Sequence, residues 1–230
     1  MKYISMALFA LALSCGQPDS NTATAALLLL QPKPGDGISL TEFRRQIAAN
    51  HTAYHTLLIG DSTMGQIYGQ WPHGTNVLSS TGSIAYPGLR ISEFQENLEL
   101  ISNPEPVEIV IGSTGINDLM RYTSSVPQVE ADLLALLTAI HAKYPHARVS
   151  SYGLPPNTNS SSAVMQNRAA INAFVAAHVD CYLDTNPLFG IVAGQVPDAR
   201  YFIDGLHFTE ATTASIKTAF GSASGCNVPI

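Results

Sequence analysis

The most informative part of this chain is Leu57-Leu58-Ile59-Gly60-Asp61-Ser62. An apolar run of strand type stops there at a glycine, an acid and a serine. Near the other end, Asp204-Gly205-Leu206-His207 brings an acid and a histidine within one turn of chain. A serine becomes a strong nucleophile when a base takes its proton, and a histidine is an effective base when a third group orients it. The sequence therefore offers the three side chains of a nucleophilic catalyst.

Each of these motifs also has a simpler explanation. Ser62 follows a strand, where a serine often caps the next helix. Asp61 is better explained as shaping the turn than as a second acid. Asp204 and Gly205 form an ordinary turn signal, beside which His207 would be a surface histidine. The chemical interpretation therefore depends on further motifs along the chain.

Short apolar runs alternate with amphipathic segments from residue 38 onward. Strands are predicted at 56–59, 76–79, 107–111, 147–152 and 179–183. Helices are predicted at 40–50, 62–70, 91–101, 126–144, 163–177 and 209–220. This alternation predicts an α/β fold in which a mostly parallel sheet is covered by helices on both faces. In such sheets ligands bind beyond the carboxyl ends of the strands, where Ser62 and Asn117 would lie.

The composition limits the class of protein. The chain has 230 residues, a net charge of -6 and 46% hydrophobic residues, which suits one sizeable domain with a full core. Charged residues make up only 12% of the chain, a value that fits an exported protein better than a cytosolic one. The acidic balance and the lack of a Lys/Arg cluster argue against nucleic-acid binding. No phosphate loop or nucleotide fingerprint occurs, and no metal or organic cofactor is implied.

The N-terminus has the features of a targeting segment. Lys2 is a minimal positive region, and residues 3–13 form an apolar run that is too short to span a bilayer. The motif Ala12-Leu13-Ser14-Cys15-Gly16 is similar to the lipobox of bacterial lipoproteins, in which Cys15 would be lipidated. The alternative is an ordinary signal peptide that is cleaved near Ser14.

These features divide the chain into three parts. Residues 1–15 are predicted to be a signal peptide of the lipoprotein type, residues 16–37 a tether, and residues 38–230 the folded domain. The protein is expected to be exported, either to the periplasm or to the outer membrane through Cys15, and otherwise to be secreted. A lipidated Cys15 would anchor the protein to a membrane, and the expected substrate is a small-molecule or glycan ester. The sequence leaves the oligomeric state open.

Two cysteines remain once Cys15 is set aside. Cys181 and Cys226 are expected to form a disulfide in an oxidising compartment, which would link the C-terminal tail to a late strand. The alternative is a pair of unpaired buried thiols. Neither cysteine has the spacing of a zinc site.

Four separated blocks follow one another in a recognisable order. They are Gly60-Asp61-Ser62-Thr63, Gly88 before a helix, Gly115-Ile116-Asn117-Asp118 after a strand, and Asp204-Gly205-Leu206-His207. Each block alone is weak, but their joint order resembles the SGNH hydrolases, also called the GDSL esterase/lipase family. The resemblance covers residues 54–220 and implies a three-layer α/β/α sandwich with a flavodoxin-like sheet. Thr63 and the long loop before Gly115 depart from the usual motifs without removing a catalytic atom.

The resemblance implies a role for each matching residue. Ser62 would be the nucleophile, His207 the general base and Asp204 the group that orients the imidazole. The oxyanion hole would consist of the backbone N–H groups of Ser62 and Gly88 and the side-chain amide of Asn117. Gly82 is an alternative to Gly88 that the sequence does not exclude.

The expected activity is that of a serine esterase on small acyl esters. Trp71 in the polar loop at 70–75, and a proline- and serine-rich loop at 153–162, favour O-acetyl groups on a carbohydrate over long acyl chains. The alternative for Trp71 is a position in the core. The alternatives are a lipolytic esterase or thioesterase of the periplasm, or an envelope binding module without turnover. Transfer of the acyl group to a sugar instead of to water would use the same residues.

Overall fold

The computed structural model of the protein describes residues 38–67, 81–191 and 196–222. The predicted signal segment, the tether and Trp71 lie outside these residues. Within them, no helix has both the length and the apolar character needed to cross a membrane. The division into signal peptide, tether and folded domain therefore stays a prediction.

A parallel sheet of five strands forms the centre of the described part of the chain, in the order β2-β1-β3-β4-β5. Its strands are β1 (Thr56–Gly60), β2 (Thr81–Ala85), β3 (Glu108–Gly112), β4 (Arg148–Gly153) and β5 (Cys181–Tyr182). All four pairings between neighbouring strands are parallel. This strand order is the flavodoxin-like one, so the predicted fold class is confirmed.

Helices cover both faces of the sheet. They are α1 (Leu40–Ala49), α2 (Ser62–Ile67), α3 (Ile91–Leu100), α4 (Ile116–Met120), α5 (Val126–Lys143), α6 (Ser162–His178) and α7 (Glu210–Ser222). Two single turns of 3₁₀-helix, Asn186–Phe189 and Ala199–Tyr201, lie between β5 and α7. The predicted cap residues act as expected: Ser39 accepts the N–H of Glu42 at the start of α1, and Thr209 accepts the N–H of Thr212 at the start of α7.

Alternate strand residues pack into opposite layers, as the pleat of a strand requires. Ile109 and Ile111 of β3 belong to the core that includes α1, α3, α5 and α6. Val110 between them packs with the core formed by α2 and α7. Because both faces are buried, the centre of β3, Ile109–Ile111, is a continuous apolar run rather than an alternating one.

The second strand differs from its predicted position. The segment 76–79 lies outside the described residues, and the strand that pairs with β1 is Thr81–Ala85. Its register aligns Leu57 with Gly82 and Gly60 with Ala85, so both strands end at the same edge of the sheet. A Cβ on Gly82 would lie 2.5 Å from the ring of Tyr54, which is why a glycine fits inside this strand.

Candidate active site

Ser62 lies at the carboxyl edge of the sheet, where β1 passes into α2. A Cβ on Gly60 would lie 2.5 Å from Cβ of Met64, so a glycine there allows α2 to fold closely onto the end of the strand. Ser62 is buried, with 7% of the residue exposed. Its position in the first turn of a helix is also one where backbone N–H groups have no partner within the helix.

Ser62, His207 and Asp204 form one hydrogen-bonded row. Nε2 of His207 lies 3.0 Å from Oγ of Ser62, although the two residues are 145 positions apart. Nδ1 of His207 lies 2.6 Å from Oδ2 of Asp204. A carboxylate at Nδ1 favours the tautomer that carries its proton there, which leaves Nε2 free to accept the serine proton. The arrangement therefore suits proton removal from Ser62.

The Asp204 carboxylate is held by backbone as well as by imidazole. Oδ1 accepts the N–H of Leu206 at 3.0 Å and the N–H of His207 at 2.7 Å. Partial burial alone would raise the pKa of Asp204, but the hydrogen bonds from His207 outweigh burial, so the pKa lies below its ordinary value. The carboxylate is therefore ionised over the whole range in which an imidazole acts as a base.

The His207 loop is fixed to α2, the helix that begins with the serine. Gln66 donates from Nε2 to the carbonyl of Phe208 at 3.2 Å and accepts the N–H of Phe208 at 2.8 Å. The N–H of Ile203 donates to the carbonyl of His207 at 2.8 Å, which closes the loop on itself. Because Gln66 lies one helical turn after Ser62, this pair of bonds fixes the His207 loop beside Ser62.

A second clamp holds the acid end of the same loop. The N–H of Thr158 donates to the carbonyl of Gly205 at 2.8 Å, and Nδ2 of Asn159 donates to the carbonyl of Asp204 at 2.8 Å. Gly205 has a φ of +86°, and a Cβ there would lie 2.5 Å from Oγ1 of Thr158. The polar loop between β4 and α6, which sequence reasoning assigned to the substrate, therefore also supports the acid. No motif in the sequence indicates this role.

Gly88 and Asn117 lie at the same edge as Ser62. Gly88 follows β2 with a φ of +80°, a conformation that favours glycine. Nδ2 of Asn117 donates to the carbonyl of Leu89 at 2.9 Å, which ties α4 to the segment after Gly88. Gly82 pairs with Leu57 near the amino ends of β2 and β1, so it lies at the far end of the strand from this cluster.

Asp61 is the buried acid of the cluster. Its side chain has no exposed surface, and its Oδ1 accepts both the N–H and the hydroxyl of Thr63 at 2.9 Å. Its Oδ2 accepts from Nδ2 of Asn117 at 3.1 Å. Burial raises the pKa of Asp61 to about 6, while the Thr63 N–H acts in the opposite direction. The sequence indicated a turn-shaping residue here, but not the bond to Asn117.

The remaining predicted positions are the three cysteines. Cys181 lies in β5 and is disulfide-bonded. Its predicted partner Cys226 and the predicted lipidation site Cys15 lie outside the described residues, so both assignments stay predictions. Among the described residues, no group of three or more His, Cys, Asp or Glu side chains is placed to hold a metal ion.

The sequence matches the model of the GDSL-like lipase/acylhydrolase family over residues 58–214. The chain belongs to this family. The match includes all four blocks around the cluster and makes an ester-hydrolysing enzyme the general expectation for the chain. Comparison with curated proteins gives no match.

Solved structures show the same fold at low sequence identity. A protein from Bacteroides fragilis named as an acylhydrolase is 16% identical, with a TM-score of 0.59, over 77% of this chain and 91% of that one. A GDSL-like lipase from Bacteroides thetaiotaomicron is 15% identical, with a TM-score of 0.53, over 87% and 96%. The OSK domain of Drosophila Oskar is 19% identical, with a TM-score of 0.59, over 80% and 97%. At these identities the likeness is one of fold, and a domain with the fold need not share an activity.

Proposed function

We propose that this GDSL-family protein is a serine esterase that acts through Ser62, His207 and Asp204. The observation that carries the proposal is the continuous row of hydrogen bonds from Ser62 Oγ through both imidazole nitrogens to the Asp204 carboxylate. A serine held only as a helix cap would not need a histidine at 3.0 Å.

In the proposed reaction, Ser62 Oγ attacks the acyl carbon as its proton passes to Nε2 of His207. The Asp204 carboxylate stabilises the imidazolium that forms. The imidazolium then protonates the leaving alcohol, and the acyl group remains on Ser62 as an ester. Water, deprotonated by the neutral imidazole, hydrolyses that ester and regenerates the serine.

The oxyanion of each tetrahedral intermediate would be bound by the N–H groups of Ser62 and Gly88 and by Nδ2 of Asn117. Support comes from the turn after β2, where Gly88 has no Cβ, and from the bond that holds Asn117 against Leu89. Loss of one such donor typically costs ~10²–10³-fold in kcat. Asn117→Ala is therefore expected to lower kcat by that factor, with a smaller effect on KM.

The proposed substrates are small acyl esters, in particular O-acetyl groups on a carbohydrate. The polar loop between β4 and α6 supports this choice, because it lies against Asp204 and Gly205 and offers hydroxyl and amide groups rather than an apolar lid. Hydrolysis of p-nitrophenyl acetate, butyrate and octanoate by the chain from residue 17 onward tests the choice, with Ser62→Ala as the control.

Each result of that assay has a defined meaning. Activity that is highest on acetate and lost in Ser62→Ala would support a deacetylase. Activity that rises with chain length would indicate a lipolytic esterase or thioesterase instead. The absence of both turnover and labelling of Ser62 by a fluorophosphonate would indicate a binding module.

We further propose that the protein is exported and anchored through a lipidated Cys15. The lipobox-like motif that ends at this cysteine supports the proposal. Metabolic labelling with an alkyne fatty acid should mark the full-length chain and not Cys15→Ser. Equal labelling of both would refute the anchor.

A further inference from the structure

The carboxylate of Asp61 uses both of its oxygens as acceptors. Oδ1 accepts two bonds from Thr63, whose hydroxyl also lies 3.0 Å from the buried hydroxyl of Tyr152. Oδ2 accepts from Nδ2 of Asn117 at 3.1 Å. The side chain is completely buried, so water does not compete for these positions. Asp61 is therefore a fixed acceptor directed at the proposed oxyanion donor.

The nitrogen of Asn117 has as many acceptors as it has protons. A carboxamide nitrogen carries two protons, and Nδ2 lies within hydrogen-bond distance of the Asp61 carboxylate and the Leu89 carbonyl. Both partners accept, so both select the orientation that places nitrogen, and not oxygen, beside the turn that carries Ser62. An oxyanion that accepts from Nδ2 must therefore compete with Asp61 or with Leu89 for one of the two protons. The bond to Asp61 is the longer, and Asp61 keeps its Thr63 donors when it is released.

We propose that Asp61 is a positioning residue that holds the carboxamide of Asn117 in its donor orientation and yields this donor to the oxyanion in the transition state. The inference rests on the proposed function, because it requires Asn117 to be an oxyanion donor. Asp61 would thus have a second task, in addition to the turn that it forms with Thr63.

The isosteric change Asp61→Asn tests this role because an amide has only one accepting oxygen. If that oxygen stays with Thr63, an NH₂ group faces the NH₂ group of Asn117. If it turns toward Asn117, an NH₂ group faces the N–H of Thr63. Either arrangement sets donor against donor and favours rotation of Asn117, which would withdraw Nδ2 from the oxyanion.

A second route from Asp61 to catalysis must be separated from the first. Burial raises the pKa of Asp61 to about 6, so at pH 8 it is an anion, and its charge acts on His207. An effect through His207 would be independent of Asn117, whereas the proposed effect exists only while Asn117 is present. A double-mutant cycle distinguishes the two.

The experiment measures kcat and KM on p-nitrophenyl acetate at pH 8 for wild type, Asp61→Asn, Asn117→Ala and the double variant. We expect each single variant to lose ~10²-fold in kcat with KM changed less than about threefold, and the double variant to match Asn117→Ala. Asp118→Asn is the matched control. It removes a neighbouring buried carboxylate that accepts the Ile91 N–H and has no bond to the Asn117 carboxamide, so kcat should stay within about threefold of wild type.

Three results would overturn the inference. They are full activity in Asp61→Asn, losses that multiply in the double variant, and a change confined to KM. Loss of activity in Ser62→Ala alongside a fully active Asn117→Ala would refute both this inference and the oxyanion assignment while leaving the serine esterase intact. Activity retained in Ser62→Ala would refute the proposed function itself.

Thermal unfolding shows whether Asp61→Asn is folded at the assay temperature. If it is not, Thr63→Val provides the same cycle, since it removes one of the two bonds that fix Oδ1 and keeps the shape of the side chain. Thr63→Val should then lower kcat severalfold in the wild-type background and leave Asn117→Ala unchanged. An equal loss in both backgrounds would contradict the proposal.

Discussion

Replacing Asp204 by asparagine separates the two tasks of its carboxylate. Oδ2 lies 2.6 Å from Nδ1 of His207, which it orients in the proposed mechanism, while Oδ1 accepts the backbone N–H groups of Leu206 and His207 at 3.0 and 2.7 Å. In Asp204→Asn the amide oxygen can keep both backbone bonds, and its NH₂ group then faces Nδ1 of His207. A donor in that place favours the tautomer with its proton on Nε2, which cannot accept the proton of Ser62.

Loss of the bond to His207 should mainly lower kcat, whereas loss of the two backbone bonds should mainly lower the free energy of unfolding. We expect kcat to fall by ~10⁴-fold in Asp204→Asn, which corresponds to about 5.5 kcal/mol of activation free energy. The free energy of unfolding should change little. Asp204→Ala also removes the acceptor of two N–H groups, but the Asp204 side chain is 21% exposed, so water replaces part of that loss. Its free energy of unfolding should fall by about 1–2 kcal/mol, or ~2–6 °C in Tm.

The assay combines p-nitrophenyl acetate hydrolysis at pH 8 with thermal unfolding of both variants. The expected pattern is an equal loss of activity with a lower Tm only in Asp204→Ala. A loss below tenfold in Asp204→Asn would refute the orienting role of the carboxylate. Equal Tm values in the two variants would show that the backbone bonds of Oδ1 do not stabilise the turn.

Three further outcomes are expected. Gly205→Ala introduces a Cβ at a φ of +86° against Thr158, so denaturant unfolding should show a loss of about 1–3 kcal/mol together with a reduced kcat. Burial raises the pKa of Asp118 to about 6. The contribution of this carboxyl group to the free energy of unfolding is therefore full below its unfolded pKa of 3.8 and is lost as the pH rises through 6. Asp118→Asn should therefore gain ~1–2 kcal/mol in urea unfolding at pH 8 and nothing at pH 3.5. If Cys181 pairs with Cys226, the exported protein should contain no titratable thiol from either when unfolded without reductant, and two after reduction.

The parts of the fold that could be predicted from sequence are those with a strong local signal. β3 is a buried β-branched run, and α5 is a long amphipathic helix with a serine cap, so both were located within a few residues. β2 has no such signal, because Thr81-Gly82-Ser83-Ile84-Ala85 contains small and polar residues that enter the sheet by pairing with β1. The position of β2 is therefore determined by its pairing with β1 and not by the strand propensity of its residues.

The residues of the site also divide into those that a local sequence pattern indicates and those that only the fold brings together. The four blocks were found because their residue types follow one another in a fixed order, with strands before the first and third blocks. The contacts of Gln66 with Phe208, and of Asn159 with the Asp204 carbonyl, join segments far apart in the chain through ordinary polar residues. A single sequence contains no pattern that marks such pairs. Asp61 was assigned to the turn for the same reason, since its bond to Asn117 becomes visible only when β1 and β3 lie side by side.

Intact-protein mass spectrometry combined with peptide mapping, after treatment with a fluorophosphonate, tests whether Ser62 is an activated nucleophile. We expect a single adduct, on the peptide that contains Ser62, no adduct in Ser62→Ala, and labelling slowed by at least ~10²-fold in His207→Ala, because the proposed base is removed. An adduct at another residue, or labelling of Ser62 that does not depend on His207, would contradict the assignment of Ser62 as an activated nucleophile.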